Sequence, residues 1–266
     1  MGSWSSGGNL NTARKAVAGC GTQTAGLSFG GHGSAWSDVT EEYDGSSWAA
    51  GGDLNTARYY LAGAGTQIAG LSFGGYTSKA RSTTEEYDGS SWAAGGSLNT
   101  ARRGLAGAGT QIAGLSFGGY DGSANINVTE EYDGSSWAAG GDLNTARHYL
   151  AGAGTQTAGL SFGGLTTTSA STTEEYNGTS WSAGGSLNTA RYYLAGAGTQ
   201  TAGLSFGGYD GSANTNVTEE YAADVTDSAT ASLAYKVRST HSTTAYLAYK
   251  VADTNAVSYA LSYDVA

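Results

Sequence analysis

Five adjacent carboxylate pairs, Glu41-Glu42, Glu85-Glu86, Glu130-Glu131, Glu174-Glu175 and Glu219-Glu220, are the residues of this 266-residue chain that come nearest to an acid and base for glycoside hydrolysis. Neighbours on a strand point to opposite faces, so the two members of a pair cannot flank one glycosidic bond. Fivefold repetition also gives a catalytic pair no use, and a scaffold role is the expectation. The three histidines, His32, His148 and His241, fall at non-equivalent places and offer no metal-ligand set. The single Cys20 can form neither an internal disulfide nor a Cys-based zinc site, and it stands where other copies of its segment have Ala64, Ala108, Ala153 and Ala197. It reads as a small buried side chain. No catalytic constellation, metal site or cofactor is expected.

Other motif matches have plainer readings. Gly63-Ala64-Gly65 resembles a phosphate loop, but no helix start follows it, so a tight strand turn is expected. Met1-Gly2 with Ser6 fits an acylation pattern that the repeat alignment explains, since Gly2 matches Gly45. Sequons begin at Asn127, Asn177 and Asn216 and have meaning only in a secretory pathway. The loop Asp121-Gly122-Ser123-Ala124-Asn125-Ile126-Asn127, echoed from Asp210 to Asn216, alternates oxygen ligands like a calcium loop. It lacks the closing Glu, and turn capping is the default.

Composition bounds the partners. Twelve Lys and Arg against 22 Asp and Glu give a net charge of -10, which repels a phosphate backbone, so nucleic acid is not an expected partner. Only 13% of residues are charged and 44 are Gly, yet six Trp, eighteen Tyr and five Phe suffice to build a core. No apolar stretch reaches the roughly 20 residues of a membrane helix, and Met1-Gly2-Ser3-Trp4 lacks the features of a signal peptide.

The elements follow from an internal repeat of about 44 residues. Trp4, Trp48, Trp92, Trp137 and Trp181 each precede Gly-Gly and the string Leu-Asn-Thr-Ala-Arg. Gly-Leu-Ser-Phe-Gly-Gly recurs from 26, 70, 114, 159 and 203, and Thr-Glu-Glu-Tyr from 40, 84, 129, 173 and 218. Breakers cut each unit into four short segments, as in 58–63, 69–74, 84–87 and 91–94. Asp44-Gly45, Asp88-Gly89, Asp133-Gly134 and Asn177-Gly178 reverse the third into the fourth. Each unit is expected to be a four-stranded antiparallel meander.

A basic residue opening strand one, Gly-Gly ending strand two, Glu-Tyr with Asp-Gly after strand three and Trp in strand four together resemble the kelch repeat over residues 1–221. That resemblance implies an all-β chain whose copies are blades of a five-bladed propeller. Tandem Gly-rich copies are also similar to repeats of phage and other environmental viral proteins. Asp44-Gly45-Ser46-Ser47-Trp48 lacks the spacing of the sialidase Asp box. Trp4 has no Thr-Glu-Glu-Tyr before it and Tyr221 has no Ser-Ser-Trp after it, so the segment around Ser3 to Ser5 is expected to complete the last blade and close the ring. Arg14, Arg58, Arg102, Arg147 and Arg191 match the Glu pairs in number, and each is expected to bind a carboxylate or a neighbouring carbonyl. With Trp4, Trp48, Trp92, Trp137 and Trp181 they make up the structural ring.

Variable positions mark the candidate binding face. Segments after each Gly-Gly, beginning at His32, Tyr76, Tyr120, Leu165 and Tyr209, differ among copies, as do the residues just after each ring Arg. In a propeller both sets reach one rim. The candidate ligand-binding residues are therefore Lys15, His32, Trp36, Tyr59, Tyr76, Arg103, Tyr120, His148, Tyr192 and Tyr209. Aromatic and polar groups of this kind suit the apolar faces and hydroxyls of a glycan, whereas unconstrained loops are the plainer alternative.

Residues 222–266 carry a second repeat, of 14 residues, in which Leu233, Tyr235, Val237, then Leu247, Tyr249, Val251, then Leu261, Tyr263, Val265 lie on one apolar face of three expected strands. So small a sheet needs a partner, and these residues are expected to support a homo-oligomer or attachment to a larger particle. The expected function is non-enzymatic: a phage virion appendage, either a tail or head fibre or a decoration protein, presenting the propeller to host-surface glycans. The expected location is the virion or an extracellular surface. The alternatives are a self-associating bacterial surface or filament protein and a propeller enzyme acting on polysaccharide.

Overall fold

The computed structural model describes residues 6–223, which form nineteen β-strands and no helix. Blade 1 is β1 (Ala18–Thr22), β2 (Ala25–Phe29), β3 (Thr40–Tyr43) and β4 (Trp48–Ala50). Blade 2 is β5 (Ala62–Thr66), β6 (Ala69–Phe73), β7 (Thr84–Tyr87) and β8 (Trp92–Ala94). Blade 3 is β9 (Ala106–Thr110), β10 (Ala113–Phe117), β11 (Thr129–Tyr132) and β12 (Trp137–Ala139), and blade 4 is β13 (Ala151–Gly154), β14 (Gly159–Phe162), β15 (Thr173–Tyr176) and β16 (Trp181–Ala183). Blade 5 shows β17 (Ala195–Gly198), β18 (Ala202–Phe206) and β19 (Thr218–Ala222). Strands pair antiparallel in chain order within every blade. The chain is an all-β, five-bladed propeller, and its described residues belong to the compact unit Met1–Val225.

The innermost strand differs from its expected position. It runs from Ala62 to Thr66 rather than over 58–63, because Tyr60 has φ of 55° and a left-handed residue interrupts the extended chain. Gly63-Ala64-Gly65 is consequently part of β5 and not a turn; the reversal falls at Gln67 and Ile68, with Thr66 opposite Ala69. Packing explains so glycine-rich a strand: a Cβ on Gly63 would lie 2.6 Å from Phe29 Cζ of the preceding blade. At the third reversal, Asp44 Oδ1 accepts from Ser46 N and Ser47 N, both at 2.8 Å, and Gly45 has φ of 94°. This side-chain cap sets Tyr43 opposite Trp48.

The Glu pairs divide as strand alternation requires. The first member turns to its own blade's arginine: Arg14 Nη2 to Glu41 2.8 Å, Arg102 Nη2 to Glu130 3.2 Å, Arg147 Nη2 to Glu174 3.0 Å, Arg191 Nη2 to Glu219 2.9 Å, and Arg58 to Glu85. In three blades the guanidinium also reaches the end of strand two and the approach to strand three: Arg14 Nη1 to Gly30 O at 2.7 Å and Val39 O at 2.8 Å, Arg147 Nη1 to Gly163 O and Thr172 O, and Arg191 Nη1 to Gly207 O and Val217 O. Arg58 and Arg102 turn to Ser72 and Ser116 of strand two instead. The link between blades folds back on the carboxylate, Asn11 N donating to Glu41 Oε2 at 2.6 Å. The second Glu faces the next blade, where Tyr87 OH donates to Glu42 and Tyr176 OH to Glu131.

Four interfaces repeat one design. Ala62, Ala64, Leu71 and Phe73 of blade 2 pack with Leu98, Leu105, Tyr132 and Trp137 of the following link and blade, and equivalent clusters join blades 1 to 2, 3 to 4 and 4 to 5. Trp92, Trp137 and Trp181 each donate the indole N–H at 2.9 Å to Thr40, Thr84 and Thr129 of the blade before. Gln67, Gln111, Gln156 and Gln200 clamp two carbonyls of that blade in the same way. Blade 5 and blade 1 lack this interface among the described residues: Ala195 and Ala197 are exposed, Phe206 is half-buried where Phe29 and Phe73 are fully buried, and Val17 is 38% exposed. Trp48 is likewise half-buried. Ring closure through Ser3 to Ser5, including the place of Trp4, and the 222–266 sheet with Leu233 through Val265 fall outside the described residues, apart from Ala222 and Ala223. Cys20 is only partly buried, its thiol reaching Thr66 O at 3.5 Å, and burial pushes it up to about 12.

Candidate ligand-binding face

Each site position is created by extending the hairpin of strands one and two past its regular ladder. Beyond that ladder the residue after the ring Arg pairs with the residue after Gly-Gly: Lys15 with His32, Tyr59 with Tyr76, Arg103 with Tyr120, His148 with Leu165 and Tyr192 with Tyr209. Reciprocal backbone bonds hold every pair, for example Arg103 N to Tyr120 O at 3.0 Å and Tyr120 N to Arg103 O at 2.9 Å. A second bridge ties His32 to Trp36, which is 44% exposed. All ten residues singled out from the sequence thus stand on these paired extensions or the loop that returns from them.

One residue further on, Ala16, Tyr60, Gly104, Tyr149 and Tyr193 all adopt a left-handed conformation, with φ of 53°, 55°, 59°, 53° and 56°. In four of the five the turn aims the N–H at the carbonyl of the equivalent residue in the blade before: Tyr60 to Ala16 3.2 Å, Gly104 to Tyr60 2.8 Å, Tyr149 to Gly104 2.6 Å and Tyr193 to Tyr149 3.0 Å. Four non-glycine residues therefore accept strain of about 1–2 kcal/mol each, which the inter-blade bonds offset. Their side chains meet across blades, with ring centroids of Tyr149 and Tyr193 4.1 Å apart, Tyr60 and Tyr149 4.9 Å, and Tyr60 and Tyr193 6.0 Å.

From this cluster the aromatic surface runs outward without a break. His32 meets Tyr59 at 5.2 Å, Tyr59 meets Tyr76 at 5.5 Å, and the Arg103 guanidinium lies 4.5 Å from the Tyr76 centroid and 5.2 Å from that of Tyr120. Tyr120 contacts His148 at 5.6 Å, His148 contacts Tyr149 at 4.2 Å, and Tyr192 contacts both Tyr193 and Tyr209. Burial pushes the Tyr59 hydroxyl up, with Tyr60 and Tyr76 adding to the effect. Burial also lowers His148, and Arg103 lowers it further against a hydrogen bond to Leu165 O, so the imidazole is neutral at pH 7. The face is an aromatic surface with one stacked cation, suited to non-covalent binding. Neither the family models nor the curated proteins contain a match to the chain.

Asp121 and Asp210 cap their own turns, Asp121 Oδ1 accepting from Ser123 N at 2.7 Å and Ala124 N at 2.8 Å, and Asp210 Oδ1 from Ser212 N at 2.7 Å and Ala213 N at 2.9 Å. The sequence marks both residues after each ring Arg as variable, Tyr60, Tyr149 and Tyr193 among them, but only the first of each pair stands among the candidate ligand-binding residues. Alternation between strand faces offered no signal for them, because their direction is set by the left-handed turn. Lys79 and Arg81 were missed, although a count of cations outside the Arg ring finds them.

Proposed function

We propose that the chain is a non-enzymatic binding protein of kelch-like architecture that presents its paired-extension face to surface glycans, as part of a phage virion appendage. One observation supports the binding reading above others: ten or more aromatic, His and Arg side chains from all five blades form a single contiguous surface around strained backbone that the blades hold in place. Pyranose rings stack on such aromatic faces, and rigid rings order at little entropic expense. The virion assignment rests on the likeness of the Gly-rich repeats to those of phage proteins.

A glycan array tests the face, comparing the wild type with Tyr59→Ala, Arg103→Ala and His148→Ala variants whose melting temperatures are unchanged. Loss of the bound glycan in these variants is the expected result, and undiminished binding in all three removes the assignment. A second reading, self-association into a filament, is favoured by the faces of blades 5 and 1, which are unpacked among the described residues and expose Ala195, Ala197 and Val17. Light scattering with and without residues 222–266 separates association through those faces from association through the C-terminal repeats.

A further inference from the structure

Cations are scarce in this acidic chain, and their distribution is uneven. Of twelve Lys and Arg, five are buried in the Arg-Glu pairs, and Lys236, Arg238 and Lys250 lie outside the described residues. Four remain, Lys15, Lys79, Arg81 and Arg103, and three of these line one groove of about 590 Å³ between the loops of blades 2 and 3. No carboxylate lies within ion-pair distance of Lys79, Arg81 or Arg103 among the described residues, whereas every ring arginine has one. Asp121 also borders the groove, but its Oδ1 is engaged by Ser123 N, Ser123 Oγ and Ala124 N. Three positive charges and one negative leave the groove at +2 in a chain whose net charge is -10.

The side chains of Arg81 and Arg103 make no hydrogen bond among the described residues; their buried Nε atoms share this with those of Arg14, Arg58, Arg102 and Arg147, so the groups open to a ligand are the terminal nitrogens. Tyr76 and Tyr120 stack against the Arg103 guanidinium, which leaves its in-plane N–H groups as the free edge. Such an edge matches a carboxylate better than it matches a hydroxyl.

Resting on the glycan reading of this face, we infer that the groove is an anion subsite that holds the carboxylate of an acidic sugar between Arg81 and Arg103, with Lys79 contributing charge at the rim. A single uronic-type carboxylate fits a groove of net +2, while a polyphosphate is disfavoured by the acidic remainder of the chain.

Isothermal titration of the full chain with tri-galacturonate, tri-glucuronate and a sialyl-trisaccharide, each beside its methyl ester, tests the subsite without any substitution. At least one acid should bind roughly tenfold or more tightly than its ester, and raising the salt concentration should reduce that advantage. Arg81→Gln and Arg103→Gln, checked for an unchanged melting temperature, should each remove most of the preference for the acid. Esters that bind as tightly as the acids overturn the anion subsite and leave glycan binding standing. Failure of every acid and ester overturns both. Equal binding of a single-stranded oligonucleotide overturns the assignment to sugar.

Discussion

Each arginine of the inner ring is a fully desolvated charge whose partners are supplied within its own blade. Burial pulls Arg102 and Arg147 down to about 10, so both remain cationic at neutral pH. Removing one side of such a pair strands the other, and Glu130→Gln or Arg102→Met should lose about 3–5 kcal/mol in urea unfolding. Burial alone would raise Glu41, but hydrogen bonds from Arg14, Asn11 and Thr12 outweigh it and hold the carboxyl below its ordinary value. Glu219 is lowered against burial by Asn188, Thr189 and Arg191. A depressed folded pKa gives stability that is present above the unfolded carboxyl value near 4.5 and is lost as pH falls through the folded one. The melting temperature should therefore drop on acidification below that value, and the drop should be shallower in Glu219→Gln. At the alkaline end Tyr87, Tyr132 and Tyr176 are pushed up to about 12, first by burial and then by their hydrogen bonds to Glu42, Glu86 and Glu131. Their folded pKa values are raised, so this stability is present below pH 10 and lost as pH climbs from 10 toward 12; near-ultraviolet phenolate absorbance should show a late-titrating set that coincides with unfolding.

At the scale of the element, the inner strand combines two demands that oppose strand propensity. It must be thin enough for neighbouring blades to approach, and it must begin with a left-handed residue that couples them. Gly107→Ala places a methyl group 2.5 Å from Phe73 Cζ and should cost about 1–3 kcal/mol, since both the ring and the backbone carbonyl of Gly63 resist movement. The left-handed position gives the opposite sign. Ala16→Gly should stabilise by up to about 1 kcal/mol because Gly adopts φ of 53° without steric penalty, whereas Gly104→Val should destabilise by more than that. Thermal melts of the two variants side by side check both signs.

For the whole molecule the question is what completes blade 5. Trp92, Trp137 and Trp181 each fill the space beside a Phe and a Thr of the preceding blade, with Trp92 4.9 Å from Phe29. At the corresponding place between blades 4 and 5 the described residues leave a cavity of about 60 Å³ lined by Phe162, Thr173 and Tyr221, among others, and among them Thr173 Oγ1 is buried without a partner. In the sequence repeat, Trp4 is the residue expected for that space. Deleting residues 1–8 should lower the melting temperature by several degrees, and Trp4→Phe, which lacks the indole donor, should lower it by less. A truncated chain that melts unchanged removes the N-terminal segment from the propeller.

Much of this architecture was legible in the 44-residue period, because a repeated unit must bury the same face against each neighbour and the Trp, Tyr, Phe and Leu positions are spaced for it. The Asp-Gly turns, the four-strand meander and the equal numbers of ring Arg and Glu pairs are local or countable properties, and local rules carry them. The displaced inner strand was not legible, since Ala-Gly-Ala-Gly has no strand propensity of its own and is extended only where an adjoining Phe ring leaves no room for a side chain. Nor was the meeting of Tyr60, Tyr149 and Tyr193, which stand 44 to 133 residues apart and converge because backbone bonds between blades hold each in the left-handed region. Composition and periodicity select the elements and the variable positions of the face; packing between blades decides which of those side chains meet, because the hydrogen bonds and ring contacts that join them run between residues of different repeats.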